Sequence, residues 1–321
     1  MFGDVQARRL TNGFKLTRVG VTGVKKQVTV RRKGMQGCLN CIIDVYVDLP
    51  SNQRGSHLSR NLEIISEAVE MSVSQPVGGL EILCRDVCKE LLERHEYATY
   101  AEVSIIADYF LNRTGPSGRI SKESFKLMAQ AYGKRGNGLR KIIGAQAIGM
   151  TACPCAQEIM RDMVRKELLT LGLSPEEAFE FAKRLPVATH NQRGRGMISI
   201  QVCDRRCVSL DEIIKIIERS MSSRVFGLLK RPDEALVVQR AHNNPKFVED
   251  CVRTMAQKVV ESFKYLPDDA VIVLKQINEE SIHQHNAFAE RSATMGELRA
   301  ELGAEDSARA NASKSEVEKN D

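Results

Sequence analysis

The feature that most constrains the fold is a repeated order of elements: a pair of strand-like runs and a pair of amphipathic helical runs followed by further strand-like runs, two in the first half of the chain and one in the second. Residues 27–32 and 38–48 carry β-branched side chains in partial alternation and predict a hairpin turning at Gly34. After Pro50 and Gly55 the spacing becomes helical, with Leu58, Leu62, Ile65 and Val69 on one face. A second helix follows Gly79 with Leu83, Val87 and Leu91. Strand-like runs return at 98–110 and 124–132. The second half repeats the order, with extended runs at 139–151 and 196–203, helical runs at 210–221 and 245–263, and a last extended run at 270–277. Two such modules predict an α+β protein built on antiparallel sheets with the helices on one face.

The expected division is an arm over 1–20, a first module over 21–133, a second over 134–298 and a disordered tail over 299–321, where Ala, Ser, Glu and Lys dominate without apolar period. Residues 157–185 read as a charged two-helix insertion in the second module. With 321 residues, 42% of them apolar and 27% charged, the chain can bury a sizeable core and is too polar for a membrane protein. No secretory or membrane-spanning run opens it, so a cytoplasmic protein is expected, and its nine cysteines should be reduced thiols. The net charge of +6 is partly local, from Arg18, Lys25, Lys26, Arg31, Arg32 and Lys33. A nucleic-acid surface is one reading of that run and a solvated strand the other. No aromatic side chains interleave with the cations as a base-stacking platform requires, so no nucleic-acid partner is expected.

Chemistry concentrates in the second half. In Thr151-Ala152-Cys153-Pro154-Cys155 a proline between two thiols forces a turn and presents at least one thiol outward, as ligand or nucleophile. His190 sits in the polar loop Thr189-His190-Asn191-Gln192-Arg193-Gly194, where a ligand, an acid/base group and a merely exposed imidazole are all open. His283 and His285 follow Glu279 and Glu280 and would share a face in an extended chain, as ligands on a strand do; the alternative is a polar turn. Glu234 and Glu249 stand in marked contexts, although acids also favour first helical turns. Cys38 and Cys41 should face opposite sides of a strand, and Cys84 and Cys88 should be core residues one helical turn apart. No phosphate-binding glycine loop follows a strand.

Together Cys153-Pro154-Cys155, His190-Asn191-Gln192-Arg193, Leu229-Lys230-Arg231-Pro232-Asp233-Glu234, Asn244-Pro245-Lys246-Phe247-Val248-Glu249-Asp250, Ser281-Ile282-His283 and, earlier, His57-Leu58-Ser59-Arg60 resemble the type IB GTP cyclohydrolases from the first hairpin to about Met295. The long segment between Cys155 and His190 is similar to that of the archaeal, methanopterin-pathway branch. The resemblance implies a tunnelling fold (T-fold) of two fused modules, assembled as a homotetramer with sites at subunit interfaces. It implies a metal held by Cys153, His190, Glu234 and His283, with Cys155 as the alternative thiolate and Fe(II) favoured over Zn(II) or Mn(II). Glu249 would anchor the purine. Glu280 would serve with Cys153 in catalysis, as proton donor or alternative ligand. Arg193, Lys230, Arg231, His57 and Arg60, with Arg54, would meet the rest of GTP. The implied reaction opens the guanine imidazole ring and releases formate. It yields 7,8-dihydroneopterin 2′,3′-cyclic phosphate and diphosphate in the archaeal branch, or the triphosphate pterin in the folate branch.

Overall fold

The computed structural model describes residues 13–32, 35–202 and 208–304. Gly34, Lys33, Cys203 and most of the expected arm and tail lie outside these residues. The chain is α+β, with β1 (Leu16–Arg32), β2 (Met35–Leu49), α1 (Leu58–Ser74), α2 (Leu80–Arg94), β3 (Tyr100–Thr114), β4 (Ile120–Lys134) and β5 (Leu139–Ala152) in its first half. Then come α3 (Pro154–Thr170), α4 (Pro175–Arg184), β6 (Asn191–Val202), α5 (Leu210–Ser220), β7 (Ser223–Arg224), α6 (Arg231–His242), α7 (Val248–Ser262), β8 (Val271–Glu279), β9 (Ala287–Thr294) and a helix over 295–304. The hydrogen-bonded strand order is β1-β2-β3-β4-β5-β6-β8-β9, with β7 on β5. By packing, the chain divides into one unit of residues 1–109, 126–145 and 199–208 and another of 110–125, 146–198 and 209–321.

In the first unit β1 and β2 form the expected antiparallel hairpin, and β2 pairs antiparallel with β3. Cys41, Ile43, Val45, Val47 and Leu49 are buried while Ile42 is exposed, the period-two pattern of a strand with one covered face. Helix α2 presents Leu83, Val87 and Leu91 to this core as expected, with Cys84 and Cys88 fully buried beside them. Helix α1 differs from expectation: Leu58 and Leu62 are exposed, and its buried face carries Asn61, Ile64, Ile65 and Ser72. The polar members turn the helix. Asn61 Oδ1 bonds the buried His95 at 2.7 Å, and Ser72 Oγ accepts from the Thr29 amide at 3.2 Å. Two cations of the basic run are also committed, Arg18 to Glu102 at 2.9 Å and Lys26 to Ser66 at 3.2 Å.

Asp48 ties the end of β2 to the start of β3. Its carboxylate accepts from the Thr99 amide at 2.7 Å, the Thr99 hydroxyl at 2.6 Å and the Tyr100 amide at 2.8 Å, and pairs with Lys15 at 3.1 Å. Burial pushes the Asp48 carboxyl up, but these donors outweigh it and hold it below its ordinary value. Its contribution is therefore present above the unfolded carboxylate pKa and is lost as pH falls through the folded one. Asp48→Ala strands three donors and should cost about 3 kcal/mol in urea unfolding at neutral pH, a deficit that shrinks on acidification. An unchanged midpoint would show that water replaces the carboxylate.

In the second unit α7 (Cys251, Met255, Val259) covers β8 (Ile272, Leu274), and α5 (Ile213, Ile214, Ile217) packs against α7. The alternation of β6 explains its glycines: Gln192, Gly194, Gly196 and Ile198 face inward, Arg193 and Arg195 outward. A Cβ on Gly196 would lie 2.4 Å from Ile217, and one on Gly194 2.4 Å from Gln276, so the helices and neighbouring side chains seat on bare backbone. The helical insertion is α3 and α4. Four elements were not expected, the two-residue β7 among them. Helix α6 buries only Asp233, Val237, Ala241 and His242 while Leu236 and Val238 are exposed, so its sequence has no clean apolar stripe. Strand β9 mixes three alanines with Phe288, Glu290, Arg291, Ser292 and Thr294, and residues 299–304 continue the helix that buries Met295 and Leu298.

Candidate active site

β5 ends at Ala152, and Pro154 occupies the first turn of α3, where its missing N–H costs nothing. Cys153 is therefore the residue preceding the helix, half-buried, while Cys155 one turn in is exposed. Backbone bonds hold this turn from both sides. The Cys153 amide donates to the His190 carbonyl at 3.1 Å, and the Cys153 carbonyl accepts from the Thr189 hydroxyl at 2.8 Å. Ala152 donates to Ser222 Oγ at 3.1 Å and accepts from the Lys246 amide at 3.0 Å. Behind the turn, the buried Gln157 donates to the His242 carbonyl at 2.6 Å.

His190 immediately precedes β6, and its side chain is mostly buried. Its Nδ1 lies 3.1 Å from Gln192 Oε1 and 3.8 Å from Glu280 Oε2, while Gln192 Nε2 donates to Glu280 Oε1 at 3.3 Å. Both neighbours of Nδ1 are acceptors, so Nδ1 carries the proton and the Nε2 lone pair is left for another partner. A histidine ligand oriented by an acceptor on its other nitrogen has this arrangement. Gln192 was not singled out in the sequence. The inward phase of β6, two residues after His190, was the available signal.

His283 presents an edge-on ring 6.4 Å from that of His190. It does not lie on a strand: β8 ends at Glu279, and residues 281–285 are bends leading to β9. Within those bends His283 and His285 stack, with ring centres 5.1 Å apart, so the polar-turn alternative describes the backbone while the two rings still lie side by side. Cys153, His190, Glu280 and His283 thus belong to one neighbourhood of the second unit.

Glu234 is exposed in the first turn of α6. The buried carboxylate of that motif is Asp233, which accepts from Ser117 Oγ at 2.8 Å and from the Lys230 amide at 3.1 Å. Lys230 and Arg231 are exposed beside it, and Arg193 is on the outward face of β6. Glu249 is exposed in the first turn of α7, and the Lys246–Ala152 bond ties the loop before that helix to the end of β5, the residue before Cys153. Lys246 itself is inward, its ammonium donating to the Ser220 carbonyl at 3.1 Å, and burial lowers its pKa.

His57 and Arg60 belong to the first unit, at the start of α1. His57 lies 6.3 Å from the Tyr97 ring, and Arg60 donates to the Arg94 carbonyl at 3.2 Å. Beneath them Ser56, Tyr97, His95 and Asn61 form a chain of hydrogen bonds of 2.8, 2.9 and 2.7 Å. Burial, aided by Arg60 and His57, lowers the His95 pKa to about 4, so His95 is neutral and accepts from Tyr97 while donating to Asn61. Arg54 is exposed.

Among the described residues no three His, Cys, Asp or Glu side chains converge as a finished metal site. The donor chemistry nevertheless fits a divalent transition metal: an accessible thiol, an imidazole with Nε2 held free, and a second imidazole beside it. Gln192→Leu removes the acceptor that fixes the His190 tautomer and should weaken metal affinity by about 10–100-fold, read by competition with a chromogenic chelator. Unchanged affinity would mean that His190 is not a ligand or is oriented otherwise.

Comparison with known proteins is consistent with these motifs. The family model described as type I GTP cyclohydrolase folE2 matches residues 2–289. A relative from Methanosarcina mazei named GTP cyclohydrolase MptA is 54% identical over 307 residues, 93% of this chain and 96% of its own. Namesakes from Methanococcoides burtonii and Methanothermobacter thermautotrophicus are 52% and 49% identical, each over 94% of this chain and 97% and 96% of their own. Among solved structures, a uricase from Arthrobacter globiformis shares the fold with a TM-score of 0.50 at 8% identity, over 87% of this chain and 93% of its own.

Proposed function

The chain belongs to the type I GTP cyclohydrolase family, and on that premise we propose how its residues divide the opening of the GTP imidazole ring. It is an enzyme, a GTP cyclohydrolase serving pterin biosynthesis of the methanopterin type. The reaction breaks both bonds from C8 to the ring nitrogens with two waters and releases C8 as formate. Rearrangement of the opened ribose and condensation of its carbonyl with the freed amine close the new ring and return one water, and hydroxyls of the side chain displace diphosphate where the cyclic phosphate forms. The proposed product is 7,8-dihydroneopterin 2′,3′-cyclic phosphate with diphosphate; the triphosphate pterin is the alternative.

Cys153, His190, His283 and Glu234 are the proposed holders of a divalent metal, Fe(II) before Zn(II) or Mn(II). Such an ion supplies Lewis acidity that brings the pKa of water towards about 7. The other roles fall to the chain itself. Gln192 and Glu280 keep the proton of His190 on Nδ1, and Glu280 exchanges protons with the opening ring. Glu249 accepts from N1–H and the exocyclic amine of guanine, a pair of donors that adenine lacks. Lys230, Arg231, Arg193, His57 and Arg60 meet the ribose and phosphates, in a homotetramer whose sites lie between subunits. A cytoplasmic setting suits these thiols, and no described helix is long and apolar enough to cross a membrane.

The observation that most supports this division is the commitment of His190 Nδ1 to Gln192 and Glu280 beside the Cys153 turn. Anaerobic incubation of Fe(II)-loaded protein with GTP, with formate assayed and the pterin identified by mass, tests it. Formate with a cyclic-phosphate pterin is expected. A triphosphate pterin would replace the proposed product, and no formate with Fe(II), Zn(II) or Mn(II) would overturn the reading.

A further inference from the structure

The loop over 243–247, between α6 and α7, is held by Asn244 and Lys246, neither of which has a part in the proposed division of roles. Lys246 joins three elements of the second unit. Its amide donates to the Ala152 carbonyl at the end of β5 at 3.0 Å. Its ammonium donates to the carbonyl of Ser220, the last residue of α5, at 3.1 Å and to Thr254 Oγ1 on α7 at 3.2 Å. Thr254 spends its own proton on the Asp250 carbonyl at 2.7 Å, so its oxygen is left to accept from the lysine. At the end of α5 the backbone carbonyls lack partners along the helix, and a cation is favoured there.

Asn244 acts in the same direction. Its amide donates to the carbonyls of Met221 and Ser222 at 3.3 and 3.1 Å, and Ser222 Oγ accepts from the Ala152 amide at 3.1 Å. Both backbone groups of Ala152 are thus taken by this clamp, one residue before Cys153. At its other end the clamp leads into the first turn of α7, where Glu249 stands three residues after Lys246. Burial opposes the charge of Lys246, and its two acceptors, a carbonyl and a hydroxyl, are neutral. An apolar side chain of similar length would fill the space without that cost. What the ammonium adds is direction: it fixes α7 against the end of α5 and, through its own amide, against β5.

We propose that Lys246 is a positioning residue for the ring opening, setting the purine-anchoring Glu249 at the spacing from the Cys153 turn that lets one guanine reach both. The proposal rests on the reading of Glu249 as purine anchor. A guanine gripped by N1–H and its exocyclic amine presents C8 at the opposite edge of the base, so any shift of Glu249 moves the reacting carbon with it. A misplacement of about 1 Å is enough to cost about 100-fold in rate.

Formate release by metal-loaded Lys246→Met, Lys246→Arg and Thr254→Val tests this, with GTP and with inosine triphosphate, whose base lacks the exocyclic amine. Lys246→Met should lose roughly 30–100-fold in kcat/KM for GTP, with metal content and circular dichroism unchanged. Its preference for GTP over inosine triphosphate should fall by about fivefold or more. Lys246→Arg, which keeps a cation on the Ser220 carbonyl, should retain most of that preference, and Thr254→Val should lose part of it. A merely structural lysine would change the active fraction and leave the preference at its parent value, which would overturn the proposal. In a Glu249→Gln background Lys246→Met should cost less than about threefold, because both act through one contact; the full loss there would also overturn it. Should Lys246→Met fail to fold, Thr254→Val and Lys246→Arg decide by the same ratio. Absence of formate from the parent protein would sink the cyclohydrolase reading. The ratio of calorimetric Kd values for the two nucleotides then decides, and one that Lys246→Met leaves unchanged would overturn the proposal.

Discussion

Cys153→Ala is expected to lower formate release from GTP roughly a thousandfold, since Lewis acidity in such a site is worth several kcal/mol, while bound metal falls in parallel. The fold should survive. Cys153 is half-buried, its side chain makes no capping bond to α3, and the bonds that hold the turn run through its backbone and through Thr189. Metal content by plasma mass spectrometry, with formate assayed on the same sample, separates this from misfolding. A variant that keeps its metal and its rate would place the thiolate on Cys155, which is exposed one turn into α3.

Glu249→Gln is the second large effect. Two hydrogen bonds to a carboxylate contribute about 1.5–3 kcal/mol each, and an amide can accept one of them while turning its own donors towards the other. A loss of roughly 100-fold in kcat/KM for GTP follows, with metal content unchanged. Selectivity for GTP over ATP should fall with it. Metal loss in this variant would instead make Glu249 a ligand and leave Glu234, equally exposed at the start of α6, as the residue facing the purine.

Much of the fold was legible because its strands and helices bury one face. The alternation from Cys41 to Leu49 and the stripe of Leu83, Val87 and Leu91 announce their partners directly. Where polar side chains are buried the pattern misleads. Asn61 and Ser72 turn α1 away from the face that Leu58 and Leu62 suggest, and Asp233 rather than Glu234 is the inward acid of α6. The short strand β7, and β9 with its alanines and charges, carry too little apolar signal to be read at all.

The site was legible as residue types more than as geometry. Cys153 and His190 are 37 positions apart, and only the fold shows the amide of one bonded to the carbonyl of the other. For His283 the sequence left a strand and a polar turn both open, and its stacking on His285 depends on the bends that follow β8. Gln192, His95 and Tyr97 were not singled out, because their importance comes from partners remote in sequence: Glu280 for the first, Asn61 and Ser56 for the other two.

The central claim is that one thiolate and the imidazoles of His190 and His283 hold a divalent ion together. X-ray absorption of the zinc-loaded protein tests it without recourse to turnover. One sulfur at about 2.3 Å with nitrogen or oxygen neighbours at about 2.0–2.1 Å is expected, with the sulfur absent in Cys153→Ala. A shell without sulfur in the parent protein, or one with two sulfurs, would contradict the account.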